Sequence, residues 1–384
     1  MPSTADDNLL ATYYLETDGD LASVACDMIT LETTGGWDGP GAPPELFAAC
    51  TGEVVAVDET SPGCGTVQVA FPLINFNLEE SAFASMWLSM VGGGTHALRS
   101  YRKSRLVDFT LPASALGYFP GPQFGMEGTR RLLDLPAGTP VIGTIVKPTS
   151  GLTPDEVADL VYRMAAGGVR FIKDDEKMLS PAYCPLRERV EKVVAALRRA
   201  EDQTGQRVLY APHITTGPHN LERFAATCLE AGANALMVNF FAAGFQSLEV
   251  LARNFGVPIY AHCGGKEAFG RAPGQGVAPE VVAKFARLLG GDYFRTGVLG
   301  GYLVGGTPEE LHSLTRVLTE DLPGIRPMAP VLSGGLKPDN LAENLQAFGC
   351  DLLALAGTGL TRHPQGIAYA VSEMLRIAAE VAPR

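Results

Sequence analysis

The chain has 384 residues, 46% hydrophobic and 19% charged, with a formal net charge of −12. That composition fills a sizeable core and excludes a disordered chain. With 42 acids against 30 bases, no basic stripe is available to neutralise a phosphate backbone, so no nucleic-acid partner is expected. An anionic small molecule remains admissible, because one local cluster of donors suffices. At roughly 150 residues per domain, the length allows two or three domains, or one barrel with an appendage.

Cysteines stand at 26, 50, 64, 184, 228, 263 and 350, an odd and widely spaced set without C-x-x-C. They read as reduced thiols, not as a disulfide frame or a zinc ribbon. The first twenty residues carry acids and no base, unlike a signal peptide. No apolar run reaches the roughly 18 residues of a membrane span. A cytoplasmic protein without a membrane partner is expected. Gly and Pro supply 71 residues (44 and 27), well above the usual share of about 12%, so tight turns between short elements are expected.

In chain order, 10–15 and 65–75 read as strands, 80–92 as a helix and 105–111 as a strand. They suggest a small α+β (ferredoxin-like) domain over 1–125. Residues 119–140 form a Pro/Gly-rich junction with one short helix. From 126 to 384 the pattern is regular. Short apolar runs recur at 140–146, 169–172, 207–211, 235–239, 257–261, 293–296, 329–332 and 352–356, with amphipathic helical stretches between them. Thr153-Pro154-Asp155-Glu156 and Thr307-Pro308-Glu309-Glu310 look like capping boxes with Pro at the first helical position. Eight strand–helix units predict an α/β fold, a (β/α)8 barrel. An open doubly wound sheet shows the same alternation, but eight units in so short a span favour closure.

Chemistry in such a barrel sits at the carboxyl ends of the strands. Those ends carry Lys147, Lys173-Asp174-Asp175-Glu176, His213, Asn239, His262, Arg295, Ser333-Gly334-Gly335 and Gly357-Thr358-Gly359. Strand alternation puts Lys173 and Asp175 on one face. With Glu176 at the bend, three groups can converge on a hard cation such as Mg2+, provided the Lys173 amine is first converted, for example by CO2 to a carbamate. A plain charged turn with Lys173 paired to an acid is the alternative. The two glycine turns are suited to phosphate, because bare backbone N–H groups are left uncovered. Simple tight βα turns would look the same. Arg295 and His262 can serve a second anionic end of the substrate. A buried Lys147 would have a lowered pKa and could shuttle protons, or form a Schiff base as in aldolase-type barrels. His213 and His219 have no assigned role, and metal ligation by them is not expected. Cys263 beside His262 fails as a nucleophile–base pair, since strand neighbours point apart.

Gly143-Thr144-Ile145-Val146-Lys147-Pro148 followed by Gly151-Leu152-Thr153-Pro154 resembles the first barrel strand of the RuBisCO large-subunit superfamily. Gly167 to Glu176 resembles its carbamylated-lysine and Mg2+ motif. Phe119 to Gly125 resembles the approach to its barrel, and Ser333-Gly334-Gly335, Gly357-Thr358-Gly359 and His363-Pro364-Gln365-Gly366 resemble its phosphate strands. The resemblance implies Lys173 as the carbamylated ligand, with Asp175 and Glu176 completing a Mg2+ site. It implies Lys147 as the proton-transfer lysine and His262 as a histidine near the substrate. Ser333, Gly334, Gly335, Gly357 and Thr358 would hold phosphate or hydroxyl oxygens. It also implies a homodimer, or an assembly of dimers.

Departures from that pattern point to a RuBisCO-like protein and away from a true carboxylase. A second lysine expected two residues after the first is Thr149, and the CO2-polarising lysine of the loop after strand 6 is Tyr302. The arginine after the strand 5 histidine is Cys263, and the strand 6 histidine is Arg295. An N-terminal asparagine that helps hold CO2 is Gly93, and a glutamate partnering the loop lysine is replaced near Ala48. The expected activity is enolisation of a phosphorylated keto sugar or sugar acid, by isomerisation, tautomerisation or decarboxylation without net CO2 fixation. A base near Gly93 is missing, which counts against diketone tautomerisation. Two other readings stand beside it: a Schiff-base aldolase, and a degenerate homologue with a regulatory or structural role.

Overall fold

The computed structural model describes residues 7–37, 39–41, 43–303 and 307–382. Four strands come first: β1 (Asn8–Thr17), β2 (Glu53–Ser61), β3 (Cys64–Pro72) and β4 (Tyr101–Thr110). Then follow β5 (Val141–Ile145), β6 (Phe171–Lys173), β7 (Leu209–Ala211), β8 (Leu236–Asn239), β9 (Ile259–His262) and the two-residue β10 (Gly276–Val277). The last three are β11 (Tyr293–Arg295), β12 (Ala329–Leu332) and β13 (Leu353–Ala356). The chain divides into two compact units, 1–119 with 265–285, and 120–264 with 286–384.

The first unit is a five-stranded sheet in the order β10-β4-β1-β3-β2. Strands β1, β2, β3 and β4 run antiparallel, and β10 is parallel to β4 through Gly276↔Arg105 and Val277↔Leu106. The helix Leu21–Thr34 buries Leu21, Val24, Ala25, Met28 and Ile29, and the helix Leu78–Val91 buries Phe83, Met86 and Met90. Segment 265–285 is tied in at both ends. Arg105 donates to the carbonyls of Gly270 (2.8 Å) and Ala272 (3.0 Å), and Lys284 pairs with Asp108 at 2.6 Å. Phe285 stacks on Phe109. Strands 10–15, 65–75 and 105–111 and the helix 80–92 are present with shifted ends. Strand β2 and the helices Leu21–Thr34 and Pro44–Cys50 are additions to the sequence reading.

The second unit is the barrel. All eight of its strands are parallel, in the order β7-β6-β5-β13-β12-β11-β9-β8. Hydrogen bonds from Ala235 N to Tyr210 O (3.2 Å), Met237 N to Pro212 O (3.0 Å) and Ile214 N to Met237 O (2.9 Å) bring β8 to β7 and close the ring. Each of the eight apolar runs yields one strand. The inward positions of these strands, among them Phe171, Leu209, Ala211, Met237, Tyr260, Tyr293, Val331, Leu353 and Leu355, make one packed cluster. Burying a side chain of this size contributes about 1.5–3 kcal/mol, so the barrel centre is a core and not a pore. Both predicted capping boxes form: Thr153 and Glu156 start the helix Pro154–Ala166, and Thr307 and Glu310 start Pro308–Thr319. At the strands' amino ends, the buried Asp292 carboxylate accepts from the amides of Phe124 (2.6 Å), Gly125 (2.9 Å) and Ile259 (2.8 Å). That places the segment leading into the barrel. No helix among the described residues is long and apolar enough to cross a membrane.

Candidate active site

Along β6 the side chains alternate. Phe171 and Lys173 enter the barrel, and Lys173 is 2% exposed. Its ammonium lies 5.2 Å from the centre of the Tyr260 ring and donates to the Asp174 carbonyl at 3.1 Å. Burial pulls the Lys173 amine down to about 8, against the opposing pull of Glu176 and Asp175. A lysine with that value has a neutral fraction near neutrality, and only the neutral amine attacks CO2.

The two aspartates of the motif part company. Asp174 turns away from the barrel interior and is fully satisfied: Arg189 pairs with it at 3.1 Å, the Tyr210 hydroxyl donates at 2.9 Å and the His213 amide at 3.0 Å. This is a buried structural carboxylate. Asp175, also fully buried, is ion-paired with Lys147 at the end of β5 and accepts from the Lys177 amide at 3.0 Å. Burial by itself would raise its carboxyl, but these donors outweigh burial and hold it below the ordinary value. Lys147 also donates to Thr149 at 3.2 Å. Its side chain is 22% exposed, so it is less buried than the sequence reading expects. Glu176 is half-buried, and one of its oxygens lies 3.9 Å from Nε2 of His262.

His262 ends β9. Burial and the nearby Lys173 charge push it well below its ordinary pKa, so its ring is neutral. His213 is 2% exposed and is pushed by burial, then by Lys173, down to about 3. The two rings lie 6.3 Å apart, centre to centre. His213, without a role in the sequence reading, thus stands beside Lys173 and His262. His219 is exposed and bonds Asn220. The Cys263 thiol is directed to the Arg295 carbonyl at 3.9 Å, so it makes no pair with His262.

The glycine turns close the other side. Ser333 is buried and hydrogen-bonded to the Tyr260 hydroxyl. Gly334 and Gly335 have φ of +101° and +120°. A Cβ at Gly335 would stand 2.9 Å from Gly301 Cα, and one at Gly334 would stand 2.6 Å from Leu303. Neither position admits another residue without strain. A Cβ at Gly357 would meet the Lys147 side chain at 3.4 Å, so the turn after β13 runs against the proton-transfer candidate. Thr358 opens the short helix Thr358–Thr361. A Cβ built on Gly334 would lie 3.9 Å from the Arg295 guanidinium. A cleft of about 1300 Å3 borders Gly335 and Thr358 and is walled by the helices Pro338–Phe348 and Ile367–Val381.

The loop after β11 is pinned through Leu299, which exchanges hydrogen bonds with Asn344 (2.8 and 3.2 Å) and accepts from Asn340. The Tyr302 amide reaches the Gly334 carbonyl at 3.3 Å, while its side chain is 75% exposed. In the first unit, Ala48 lies on the helix Pro44–Cys50. The acid beside Gly93 is instead Glu32, whose carboxylate accepts from the Gly94 amide; a Cβ on Gly93 would stand 2.7 Å from it. Glu32 and the Asp174–Arg189 pair were missed in the sequence, because no spacing rule links residues that meet only after folding.

A parallel eight-stranded barrel with paired lysines and acids at its carboxyl end, behind an α+β sheet unit, defines the architecture of the RuBisCO superfamily. Residues 125–383 match the family described as ribulose bisphosphate carboxylase large chain, catalytic domain, and the chain belongs to that family. It is 34% identical, over 95% of its length and 90% of the relative's, to a 3-oxo-isoapionate-4-phosphate decarboxylase of Rhizobium rhizogenes. The octameric RuBisCO structure from Pyrococcus horikoshii superposes with a TM-score of 0.91 at 28% identity, covering 99% of this chain and 89% of that one. A RuBisCO-like protein from Alicyclobacillus acidocaldarius does so at 0.89 and 30%, covering 98% and 94%.

Among the described residues, no three His, Cys, Asp or Glu side chains are grouped to hold a metal ion. The set implied by the resemblance has only two such residues, Asp175 and Glu176. Its third donor, Lys173, offers oxygen only after carboxylation. The donor chemistry fits Mg2+, a hard cation that takes oxygen ligands. Asp175 and Glu176 are the acids acting most strongly on Lys173, so the three groups share one space.

Proposed function

We propose that the chain is a Mg2+-dependent RuBisCO-like enzyme that enolises a phosphorylated keto sugar acid and releases CO2 from it. The observation that carries this reading is the Lys147–Asp175 pair beside the buried Lys173. Lys173 as a carbamate, Asp175 and Glu176 would hold the cation, whose contribution is to polarise the substrate carbonyl. When Asp175 is drawn to a cation, Lys147 is freed to hold or deliver a proton at the adjacent carbon. In a 3-oxo acid the C–C bond to the carboxylate breaks, its electron pair enters the polarised carbonyl as an enolate, and CO2 leaves. Lys147 then returns a proton to carbon. The amides of Gly335 and Gly357, with Ser333, Gly334 and Thr358, would bind the phosphate. Arg295 would meet the substrate's second anionic group.

Decarboxylation is favoured over isomerisation by the 34% identity to a 3-oxo-isoapionate-4-phosphate decarboxylase. Tyr302, without a fixed charge, stands against CO2 fixation. The named dimeric and octameric relatives support a homodimer or an assembly of dimers for this chain. The test is a panel of phosphorylated ketoses and 3-oxo sugar acids, with Mg2+ and bicarbonate, read by CO2 release and by proton–deuterium exchange. Activity should vanish in Lys173→Ala. Turnover that survives this substitution unchanged overturns the reading, and borohydride trapping of substrate on Lys147 or Lys173 would favour the aldolase reading.

A further inference from the structure

Asn239, at the end of β8, distributes hydrogen bonds in a way that sets both histidines. Its Oδ1 accepts from the amides of Phe241 (3.0 Å) and Ala242 (3.1 Å). Two N–H donors there fix the amide orientation, so Nδ2 is the atom facing His262 Nδ1 at 3.3 Å and the Gly264 carbonyl at 3.0 Å. The Gly264 amide also donates to His262 Nδ1, at 3.2 Å. A nitrogen that receives two donors carries no proton. The neutral His262 ring therefore holds its proton on Nε2.

The backbone amide of Asn239 donates to Thr215 Oγ1 at 2.7 Å. With that oxygen engaged as acceptor, the threonine hydroxyl gives its own proton to His213 Nε2, 2.5 Å away. The His213 proton is then on Nδ1. That atom is buried and has no hydrogen-bond partner. Leaving a buried donor unmade is costly, so an acceptor is missing from its surroundings.

Resting on the reading under Proposed function, we infer that Asn239 and Thr215 are positioning residues that lock His213 and His262 as two neutral N–H donors, whose ligand is a carboxylate or enolate oxygen bound beside Lys173. The donors act like an oxyanion hole, since neither ring is set to remove a proton. The oxygen has two possible sources, a carbamate on Lys173 or the substrate itself.

The experiment uses the full chain with 15N-labelled histidine, read by solid-state NMR, with each His assigned by its His→Asn variant. His213 should show a protonated Nδ1 and His262 a protonated Nε2. Thr215→Val should move the His213 proton and leave His262 unchanged, and Thr215→Ser should restore the wild-type signature. Mg2+ with bicarbonate is then added, followed separately by 2-phosphoglycolate, a phosphate joined to a carboxylate. A shift of the His213 proton with bicarbonate that is lost in Lys173→Met identifies the carbamate as acceptor. A shift seen only with 2-phosphoglycolate identifies the substrate oxygen, and Thr215→Val should then weaken that anion about tenfold, the value of one ordinary hydrogen bond. A proton on Nε2 of His213, or a His213 proton that answers neither anion, overturns the inference. Correct tautomers with no CO2 release or proton exchange from any substrate would instead sink the functional reading alone.

Discussion

Lys147 and the cation implied for this site compete for the same carboxylate, Asp175. Lys147→Met should therefore split two properties. Turnover should fall by roughly 10²–10⁴, the usual weight of a positioned acid or base. Mg2+ binding in bicarbonate, followed by calorimetry, should persist or tighten. Loss of Mg2+ binding together with turnover would show that Lys147 builds the site instead of serving it. Asp174 has the opposite character. Arg189→Met would leave a fully buried carboxylate without its counter-charge, at a cost of about 3–5 kcal/mol in urea unfolding. If the loss is below about 1 kcal/mol, Asp174 is not held by this pair. Residue types were legible at this scale and so was parity: Lys173 and Asp175 share a face because strand side chains alternate. The partner of Asp174 was not legible, since Arg189 lies on another element and reaches it only through the fold.

The βα turns are elements whose backbone geometry is the function. Gly335→Ala forces a Cβ to within 2.9 Å of Gly301 Cα at a φ of +120°. The expected result is at least tenfold weaker inorganic phosphate binding, with strain of about 1–3 kcal/mol. Unchanged phosphate affinity would remove this turn from the anion site. The capping boxes give a local comparison. Thr153→Ala should cost about 1 kcal/mol of stability and leave turnover intact, because the cap serves only the start of its helix. Both boxes were visible in sequence since their four residues are contiguous. The helix Leu21–Thr34 was not singled out, although Asp20 caps it and Gly35 ends it. Strand β2 was missed for a different reason: it is almost wholly exposed and so lacks the apolar alternation that marks a half-buried strand.

At the scale of the whole molecule, stability should carry a pH signature from Asp292. Burial pushes its carboxyl up to about 6 from 3.8, despite the three backbone amides it accepts. Between these values the folded chain keeps a proton that the unfolded chain has released. This contribution is therefore complete below about pH 4 and is lost as pH rises through 6. The loss is up to about 3 kcal/mol. Unfolding free energies measured from pH 4 to 8, compared with Asp292→Asn, should show that slope in the wild type and not in the variant. A slope identical in both would place the dependence elsewhere.

The sequence by itself determined the barrel, because eight apolar runs with amphipathic stretches between them are a local pattern that each element reads from its own residues. It also determined the candidate chemistry, because strand ends face the mouth of a barrel and the alternation of side chains sends Lys173 inward. Tertiary structure alone decided which groups meet. Segment 265–285 joins the first unit's sheet by two residues of pairing, too short to carry a pattern. Glu32, not a residue near Ala48, reaches Gly93 and Gly94. Asn239 and Thr215 orient the two histidines across β7, β8 and β9. Periodicity encodes the direction of a side chain, whereas a hydrogen bond needs two atoms within about 3 Å, and only ring closure brings those strands side by side.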